Sequence, residues 1–489
     1  MWHEERLLID GELRAADGGG VFETVNPATE EVLGVAADAT EADAQAAVAA
    51  ARRAFDTTDW AQDHEFRARC LRQFHAALEE QLEEMRALTV AEGGSPVMLT
   101  HGGPQLEAPV ASVKWVADMM DGYQWTEDLG EVEAYGSNHR RWIEREPVGV
   151  VAAITAYNFP VQLNLAKLAP ALAAGNTVVL KGAPDTPWSA LALGRLIAEH
   201  TDIPPGVVNI LSSSQHAPGE VLTTHPDVDM VTFTGSTATG RRIMAAASAT
   251  VKKTFLELGG KSAYVVLDDA DIASAATMNA FMVCTHAGQG CAIATRLVVP
   301  AAMADAAAEV ASATLASIPY GDPTDPSVMM GPLISARQRD KVDQLVSTAV
   351  DQGATLAAGG RRPDHLPTGY YYEPTLLTGV GEDDLVAQEE VFGPVLAIIG
   401  YEGGDDEAVR IANNSIYGLS GAVSSADPER ARAVARRIRS GTISVNGGLY
   451  YAPDAPFGGY KQSGIGREMG VAGFEEFLEI KTLAEPAGT

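Results

Sequence analysis

From about residue 148 onward, the sequence alternates short apolar runs with longer amphipathic stretches. The first runs are VGVVAAIT, TVVLK, GVVNIL and DMVTFTG, and stretches typical of helices separate them. Strands joined by helical crossovers lie parallel in one sheet. Such a sheet binds its ligand beyond the carboxyl ends of its strands, where helix N-termini also face anions. The sequence therefore predicts an α/β fold whose usual ligand is a nucleotide.

A second alternating region runs from Lys261 to about Lys461 and contains the strand-like runs AYVVL, TRLVVP, PVLAIIG and GTISVN. A chain of 489 residues also exceeds the size that one hydrophobic core usually serves. We therefore expect a second α/β domain. The polar stretch from about Trp125 to Arg145 interrupts the pattern before the first sheet, and we interpret it as a protruding hairpin.

The residues before the first sheet are typical of helices after a short strand-like start. Thr40 and Asp43 have the spacing of a capping box ahead of an alanine-rich run, which predicts a helix start. A later apolar series, from Phe66 to Met85, keeps to one face of a helix. Cys70 belongs to this face, so we expect it in the core.

Composition excludes several classes of partner. The chain has 65 acidic and 35 basic side chains and a formal net charge of −30, which repels nucleic acids and anionic bilayers. The first residues, MWHEERLLID, lack the pattern of a secretion signal, and no apolar run is long enough to span a membrane. Three cysteines are too few to cross-link a chain of this length. We therefore expect a cytoplasmic protein that binds neither nucleic acid nor membrane.

Two glycine-containing segments are candidate ligand sites. DMVTFTG leads into GSTATG at 235–240, where a following helix would expose N–H groups to a pyrophosphate, although such segments also open many helices for structural reasons. FLELGGKS resembles a phosphate-binding P-loop, but Phe255 stands where that loop needs glycine. What remains is Glu257, a carboxylate at a strand end before two glycines.

Cys291 lies among small residues in the segment FMVCTHAGQGCAIATR. No bulky neighbour shields its sulfur, so the thiol is a candidate nucleophile. Cys284 is interpreted as a small core residue. His286 raises the alternatives of a Cys/His protease or a metal ligand pair, but no further cluster of ligand-type residues supports either. We therefore expect no metal site.

The chain resembles the aldehyde dehydrogenase superfamily over nearly its full length, through six motifs in the family's order and at closely similar spacing. The motifs are YNFP at 157–160, FTGSTATG at 233–240, ELGGK at 257–261, GQGC at 288–291, EEVFGPV at 389–395 and FGGYKQSGIGRE at 457–468. The resemblance implies a Rossmann-like cofactor-binding domain over 1–124 and 148–259, and a catalytic α/β domain over 260–461. It also implies a homodimer or homotetramer assembled through residues 125–147 and 475–489.

The resemblance implies a role for each catalytic residue. Cys291 attacks the aldehyde and forms a thiohemiacetal and then a thioester. The Asn158 amide holds the oxyanion with the backbone N–H of Cys291, although an asparagine before Phe-Pro would otherwise be interpreted as a turn residue. Glu257 is the general base for hydrolysis. Lys167 and Glu468 relay protons, with exposed ion pairing as the alternative explanation.

The implied reaction is the oxidation of an aldehyde to a carboxylic acid. Two alternatives are an enzyme that transfers the acyl group to coenzyme A and a catalytically silent family member. Relatives of the first kind lack the glutamate at the position of Glu257. A silent member would be expected to have lost part of the catalytic set.

The resemblance implies NAD as the cofactor. Lys181 matches a lysine at the adenosine ribose, and Glu390 matches a residue at the nicotinamide ribose. The full set of matching positions is Thr155, Tyr157, Asn158, Lys181, Gly219, Phe233, Gly235, Ser236, Leu258, Glu390 and Phe392. Pro184 stands where NAD-preferring relatives carry a ribose-binding glutamate, which leaves NADP open. Asp185 follows it, and its charge would repel the extra phosphate of NADP.

The substrate tunnel is also identified by resemblance. Its positions combine aromatic and small residues, namely Tyr123, Phe159, Gln162, Ala166, Thr285, Gly290, Tyr451 and Phe457. Ala166 and Gly290 replace bulkier groups of some relatives, so we expect a roomy tunnel for aromatic or medium-chain aldehydes.

Overall fold

A computed structural model describes residues 4–487. Residues 1–3 of the expected first domain and residues 488–489 of the expected oligomerisation segment lie outside the described residues. The strands, numbered in chain order, are β1 (Leu7–Ile9), β2 (Glu12–Arg14), β3 (Val21–Val25), β4 (Val32–Ala37), β5 (Thr126–Ala134), β6 (Ser137–Pro147), β7 (Val150–Ile154), β8 (Thr177–Lys181), β9 (Val208–Leu211), β10 (Met230–Thr234), β11 (Lys253–Glu257), β12 (Ser262–Val266), β13 (Ala294–Pro300), β14 (Thr355–Ala358), β15 (Thr375–Thr378), β16 (Val395–Tyr401), β17 (Gly421–Ser424), β18 (Ser444–Val445), β19 (Gly464–Ile465) and β20 (Leu478–Pro486).

The helices alternate with these strands as the sequence predicts. They are α1 (Glu41–Thr57), α2 (His64–Glu80), α3 (Leu82–Gly93), α4 (Glu107–Met119), α5 (Pro160–Ala174), α6 (Pro187–His200), α7 (Ala217–Thr224), α8 (Thr237–Ala247), α9 (Ile272–Cys284), α10 (Ala304–Ser317), α11 (Ala336–Asp351), α12 (Leu385–Gln388), α13 (Asp405–Asn413), α14 (Pro428–Ala435) and α15 (Gly470–Glu475). Among the described residues, no helix is both long enough and apolar enough to cross a membrane.

The first sheet has eight strands in the order β19-β11-β10-β7-β8-β9-β1-β2. Its central strands, β11, β10, β7, β8 and β9, are parallel. The chain moves outward from β7 to β9 and then returns to β10 on the other side of β7. The strand order therefore reverses between β7 and β10, and such a point creates a ligand crevice at the carboxyl ends.

The second sheet has seven strands in the order β14-β15-β16-β13-β12-β17-β18. Its strands run parallel except at the β14–β15 edge. Each sheet has its own core of buried apolar side chains, and the core of the first sheet also takes in Phe474, Phe477 and Leu478 from the end of the chain. The predicted α/β fold is confirmed.

The helical predictions are confirmed, with one difference. Thr40 and Asp43 form a capping box at the start of α1. The apolar series from Phe66 to Met85 is split at Gln81 between α2 and α3, because the backbone at Gln81 leaves the helical conformation (φ −100°, ψ 16°). Cys70 is fully buried.

The predicted hairpin before the first sheet is present as β5 and β6. Strand β20 pairs antiparallel with β6, so that residues from two distant parts of the chain form a three-stranded sheet. Most side chains of β5 and β20 are exposed.

Arg67 joins α2 to the end of α5, and its loss should destabilise the protein. This fully buried guanidinium donates hydrogen bonds to the carbonyls of Trp60 (2.8 Å), Ala61 (2.9 Å) and Ala173 (3.0 Å). Arg67→Met would leave these carbonyls without their donor, at a cost of about 2–3 kcal/mol. We expect a lower Tm than for Arg69→Met, a matched change on the exposed face of α2. Equal Tm values for the two variants would contradict this role.

Candidate active site

Four strands of the first sheet end at the same edge. Ile154 of β7 lies opposite Lys181 of β8, and Thr234 of β10 lies opposite Glu257 of β11. Phe233 of β10 lies opposite Ile154, so the four strand ends are level. The segments that follow them therefore line one crevice.

Cys291 approaches this crevice from the segment after α9. Its side chain is half-buried. A Cβ added at Gly260 would lie 2.3 Å from the carbonyl oxygen of Cys291, so only glycine fits there. The loop after β11 thus lies directly against the backbone of the cysteine.

Asn158 is bound to the backbone of Gln289, which lies two residues before Cys291. Its Nδ2 donates to the carbonyl of Gln289 at 2.9 Å, and its own carbonyl accepts from Nε2 of Gln105 at 3.1 Å. Gln289 is fully buried, and its Oε1 accepts from the backbone N–H of Ile334 at 2.9 Å. These bonds hold Asn158 and the segment before Cys291 in one position.

Glu257 is buried, and neither carboxylate oxygen has a hydrogen-bond partner. Burial raises the pKa of Glu257 well above its usual value, the Glu468 carboxylate raises it further, and Lys167 lowers it. A Cβ at Gly458 would lie 2.6 Å from Oε1 of Glu257. The carboxyl group is therefore closely enclosed and favours its protonated form.

Lys167 and Glu468 form an ion pair, with Nζ 2.6 Å from Oε1. Their side chains are 0% and 4% exposed, so the alternative of an exposed ion pair is wrong. The Lys167 ammonium also lies 5.0 Å from the ring centre of Phe255. Glu468 is held by paired backbone hydrogen bonds to Phe457.

The thiol of Cys291 lies among carboxylates. Burial raises its pKa, and Glu390, Glu257 and Glu468 raise it further, while a hydrogen bond from the backbone of Ala292 lowers it. The thiol is therefore protonated in the free protein near neutral pH. A base or a bound cation is needed to produce the thiolate.

Glu390 and Phe392 reach the crevice from the second sheet. The Glu390 Oε1 accepts from the backbone N–H of Gly260 at 2.9 Å. A Cβ at Gly259 would lie 2.5 Å from Oε2 of Glu390. The Phe392 ring packs edge-on against Tyr157, with ring centres 6.1 Å apart. The two glycines thus admit a carboxylate from one side and the cysteine backbone from the other.

The far end of the crevice holds a buried ammonium. Lys181 Nζ donates to the carbonyl of Gly182 at a long 3.4 Å, and burial lowers the pKa of Lys181 to about 8. A Cβ at Gly219 would lie 3.8 Å from Cδ of Lys181. Ser236 is the N-cap of α8, so the N-terminus of this helix lies at Ser236. A poorly satisfied cation and a helix N-terminus fit the ribose and pyrophosphate of a dinucleotide.

Other expected cofactor residues lie beneath the crevice. A Cβ at Gly235 would lie 2.4 Å from Cζ of Phe233, and one at Gly240 would lie 2.6 Å from Cδ2 of Leu258. These apolar side chains pack under glycine backbone. Thr155 Oγ1 donates to Asn164 Oδ1 at 2.7 Å, which fixes the segment after β7.

Pro184 is exposed in the turn before α6, and Asp185 beside it is half-buried. Burial raises the pKa of Asp185 and Arg337 lowers it. Burial raises the pKa of Tyr157, and Asp185 raises it further. The charge of Asp185 therefore acts on Tyr157, and the charge of Arg337 acts on Asp185.

Several expected tunnel residues meet at the start of α5. The Phe159 ring lies 5.5 Å from that of His286, and a Cβ at Gly290 would lie 3.8 Å from Cε2 of Phe159. Gln162, one turn further, accepts a hydrogen bond from the hydroxyl of Tyr451. Ala166 follows after another turn.

Burial lowers the pKa of His286 to about 4, so its imidazole is neutral. Thr285 begins the segment that leads to the cysteine, and Phe457 pairs with Glu468.

Tyr123 does not join this group, so the structure corrects its expected place in the tunnel. Its ring packs against Trp125 and Phe474, at 4.9 and 4.8 Å between ring centres, and its hydroxyl donates to Glu475. The guanidinium of Arg67, which binds the carbonyl of Ala173, lies over Trp125. Tyr123 therefore packs with Trp125, Phe474 and Glu475 and makes none of the contacts that join the other expected tunnel residues.

Sequence reasoning missed several contributors to the site. Gln105 binds Asn158, Gly458 encloses Glu257, and Met469 Sδ lies 4.0 Å from Nε2 of Gln162. Gln289 and Gly458 lie within the motifs GQGC and FGGYKQSGIGRE, so the motifs could have indicated them as site residues. Nothing in the local sequence singles out Gln105 or Met469. No group of three His, Cys, Asp or Glu side chains suited to a metal is found among residues 4–487.

Known proteins resemble this chain along its length. The model of the Aldehyde dehydrogenase family matches residues 14–483. A 3-succinoylsemialdehyde-pyridine dehydrogenase from a Pseudomonas species is 41% identical over 479 residues, covering 98% of both proteins. The crystal structure of an aldehyde dehydrogenase from Mycobacterium tuberculosis complexed with NAD+ has a TM-score of 0.94 and 39% identity, covering 100% of this chain and 99% of that one. The crystal structure of a mutant aldehyde dehydrogenase C from Pseudomonas syringae, complexed with NAD+ and octanal, has a TM-score of 0.92 and 38% identity. The match covers 98% of this chain and 96% of that one.

The fold and these relatives define an oxidoreductase that acts on aldehydes. More specifically, the chain belongs to the aldehyde dehydrogenase family. The family and the class of enzyme that the six motifs indicated are confirmed.

Replacing Glu257 should stabilise the protein at alkaline pH. Its pKa is raised in the folded protein, so the folded state binds this proton more tightly than the unfolded chain does. Wild-type stability therefore falls as pH rises through the folded pKa. Glu257→Gln keeps the shape without the buried charge, so its Tm should exceed that of wild type by about 2 °C at about pH 9 and by less at about pH 6. Glu309→Gln, at an exposed position of α10, is the control. An equal Tm difference at both pH values would contradict this assignment.

Proposed function

We propose that the protein oxidises an aldehyde to the carboxylic acid, with Cys291 as nucleophile and NAD+ as cofactor. The observation that carries the proposal is the convergence of a half-buried thiol, the fixed Asn158 amide and the enclosed Glu257 carboxyl group. Membership of the family supports the reaction, and the related structures complexed with NAD+ support the cofactor.

In the proposed first step, the Cys291 thiol gives its proton to solvent water, and the sulfur adds to the aldehyde carbon. The Asn158 amide has two N–H groups. One is held by the carbonyl of Gln289, and the other, with the backbone N–H of Cys291, would stabilise the oxyanion of the thiohemiacetal. Bound NAD+ supplies the acceptor for the hydride that leaves this carbon. The acyl group then remains on Cys291 as a thioester.

In its ionised form, Glu257 is proposed to take a proton from the water that hydrolyses the thioester. Its raised pKa suits a base that must compete for that proton near neutral pH. The buried Lys167–Glu468 pair beside it is proposed to pass the proton onward. The presence of Glu257 favours release of a free acid over transfer to coenzyme A.

The cofactor residues are proposed to act along the crevice. Lys181 would bind the adenosine ribose, Ser236 the pyrophosphate, and Glu390 the nicotinamide ribose. Phe392 would contact the nicotinamide ring. The long hydrogen bond of Lys181 and the open N-terminus of α8 support the first two roles.

We propose an aromatic or medium-chain aldehyde as substrate. The relatives include an enzyme whose structure holds octanal and a dehydrogenase of a pyridine-containing semialdehyde. The small residues Ala166 and Gly290 leave room beside Phe159 for such groups. The Tyr451–Gln162 hydrogen bond adds a polar contact on the same wall.

The exposed sheet of β5, β6 and β20 is proposed to assemble a homodimer or homotetramer, because its edge strands offer unpaired backbone groups.

Three free cysteines support the expected reducing, cytoplasmic location.

Glu257→Gln should separate the two halves of the reaction. Thioester formation should still occur, whereas hydrolysis should slow by about 10² to 10⁴. Rapid mixing with NAD+ and aldehyde should therefore give a burst approaching one NADH per active site, followed by slow turnover. Steady-state turnover equal to that of wild type would exclude Glu257 as the base.

The matched controls for this experiment are two cysteine variants. Cys291→Ala should abolish both the burst and turnover. Cys284→Ala, a change of the buried cysteine at the end of α9, should keep both.

Removing space from the tunnel should change the choice of aldehyde. Ala166→Trp should lower kcat/KM for benzaldehyde and octanal at least about tenfold, while acetaldehyde is affected less, because steric exclusion grows with substrate size. Steady-state kinetics with the three aldehydes provide the measurement. A uniform loss for all three would argue against Ala166 as a tunnel wall.

A further inference from the structure

Asp38 lies at the adenosine end of the crevice, where neither the motifs nor the resemblance pointed. It follows β4, and its carboxylate accepts three hydrogen bonds from the loop after β9. Ser213 Oγ donates to Oδ1 at 3.0 Å, the backbone N–H of Ser214 donates to Oδ1 at 2.9 Å, and Ser214 Oγ donates to Oδ2 at 2.8 Å. Both carboxylate oxygens are therefore fixed in place.

The loop that holds Asp38 borders Lys181. Strand β9 is the neighbour of β8, and Leu211 lies opposite Lys181. The backbone N–H of Gly182 donates to the carbonyl of Leu211 at 3.1 Å. Beyond Ser214 the chain enters α7, whose Gly219 lies against the Lys181 side chain. Asp38 and α7 thus flank the lysine that is proposed to bind the ribose.

The charges of this corner suit a neutral group. Asp38 is the charged neighbour that raises the pKa of Lys181, against the larger lowering by burial. One ammonium and one carboxylate together carry no net charge, which matches the hydroxyl groups of a ribose. A 2′-phosphate would add a charge of about −1.5 to −2 at pH 7. Beside the half-buried carboxylate of Asp38 that charge would be repelled.

We propose that Asp38, held by Ser213 and Ser214, sets the preference for NAD over NADP by excluding a 2′-phosphate from the ribose corner. It takes over the discriminating role of the glutamate that is replaced here by Pro184. This inference rests on the proposed use of a nicotinamide dinucleotide. The role is assigned to Asp38 over Asp185 because Asp38 is held by the loop after β9, the strand that pairs with the one ending at Lys181.

The test compares Asp38→Asn with Asp185→Asn in the full-length protein. The ratio of kcat/KM for NADP to kcat/KM for NAD should rise at least about tenfold in Asp38→Asn, as expected when a charge repulsion in a partly buried site is removed. The ratio should stay within about twofold of wild type in Asp185→Asn and in Asp305→Asn, an exposed control on α10. An unchanged ratio in Asp38→Asn, or a tenfold rise in Asp185→Asn, would overturn the proposal.

A binding measurement tests the same corner without catalysis. Calorimetric titration with adenosine 5′-monophosphate and its 2′-phosphorylated form should show that Asp38→Asn gains affinity for the second ligand relative to the first. Asp38→Ser, which also removes the charge, should behave alike and serves if the asparagine variant folds poorly. Equal relative affinities in wild type and both variants would exclude Asp38. If wild type reduces neither dinucleotide with aldehyde, the proposed function fails, whereas normal NAD activity with unchanged selectivity defeats this inference alone.

Discussion

The site depends on a carboxyl group that the fold keeps away from water. Glu257 ends a buried parallel strand and neither of its oxygens is hydrogen-bonded, an arrangement that normally destabilises a protein unless the group holds a proton. The Lys167–Glu468 pair does not neutralise it, because the two charges are paired with each other and Glu468 raises the pKa of Glu257. The burial that makes an ionised Glu257 destabilise the folded protein also raises its pKa and so makes its carboxylate a stronger base. Under the proposed mechanism, this is what allows a side chain that is usually a weak base to deprotonate water.

The sequence predicted the sheets well because their central strands are buried on both faces and therefore appear as continuous apolar runs, such as VVAAI and TVVLK. It did not predict the break at Gln81. Periodicity reports which face of a helix is buried, and α2 and α3 bury consecutive stretches of the same apolar series. The pairing of β20 with β6 is also invisible to local patterns, because these strands are separated by most of the chain.

Within the site, the residues that a motif singled out lie around one crevice, and their roles stay predictions. Glu257, Asn158 and Cys291 fall in such motifs, and the structure brings them together. Tyr123 had no motif around it, and it packs against Trp125 and Phe474 instead. The environment of a residue was not predictable either. Lys167 and Glu468 could equally have been a solvated pair, since burial depends on packing by residues distant in sequence.

The crevice has two walls of different construction. One wall is backbone: Gly259, Gly260 and Gly458 face Glu390, the cysteine carbonyl and Glu257 at distances that leave no space for a methyl group. Under the proposed function, the other wall is the side-chain surface from Phe159 to Ala166 at the start of α5. Substitutions on the helical wall reshape the volume offered to an incoming molecule, while the spacing between thiol and carboxylate is set elsewhere. Substitutions in this helix can therefore change which substrates are accepted, while the reacting groups keep their positions.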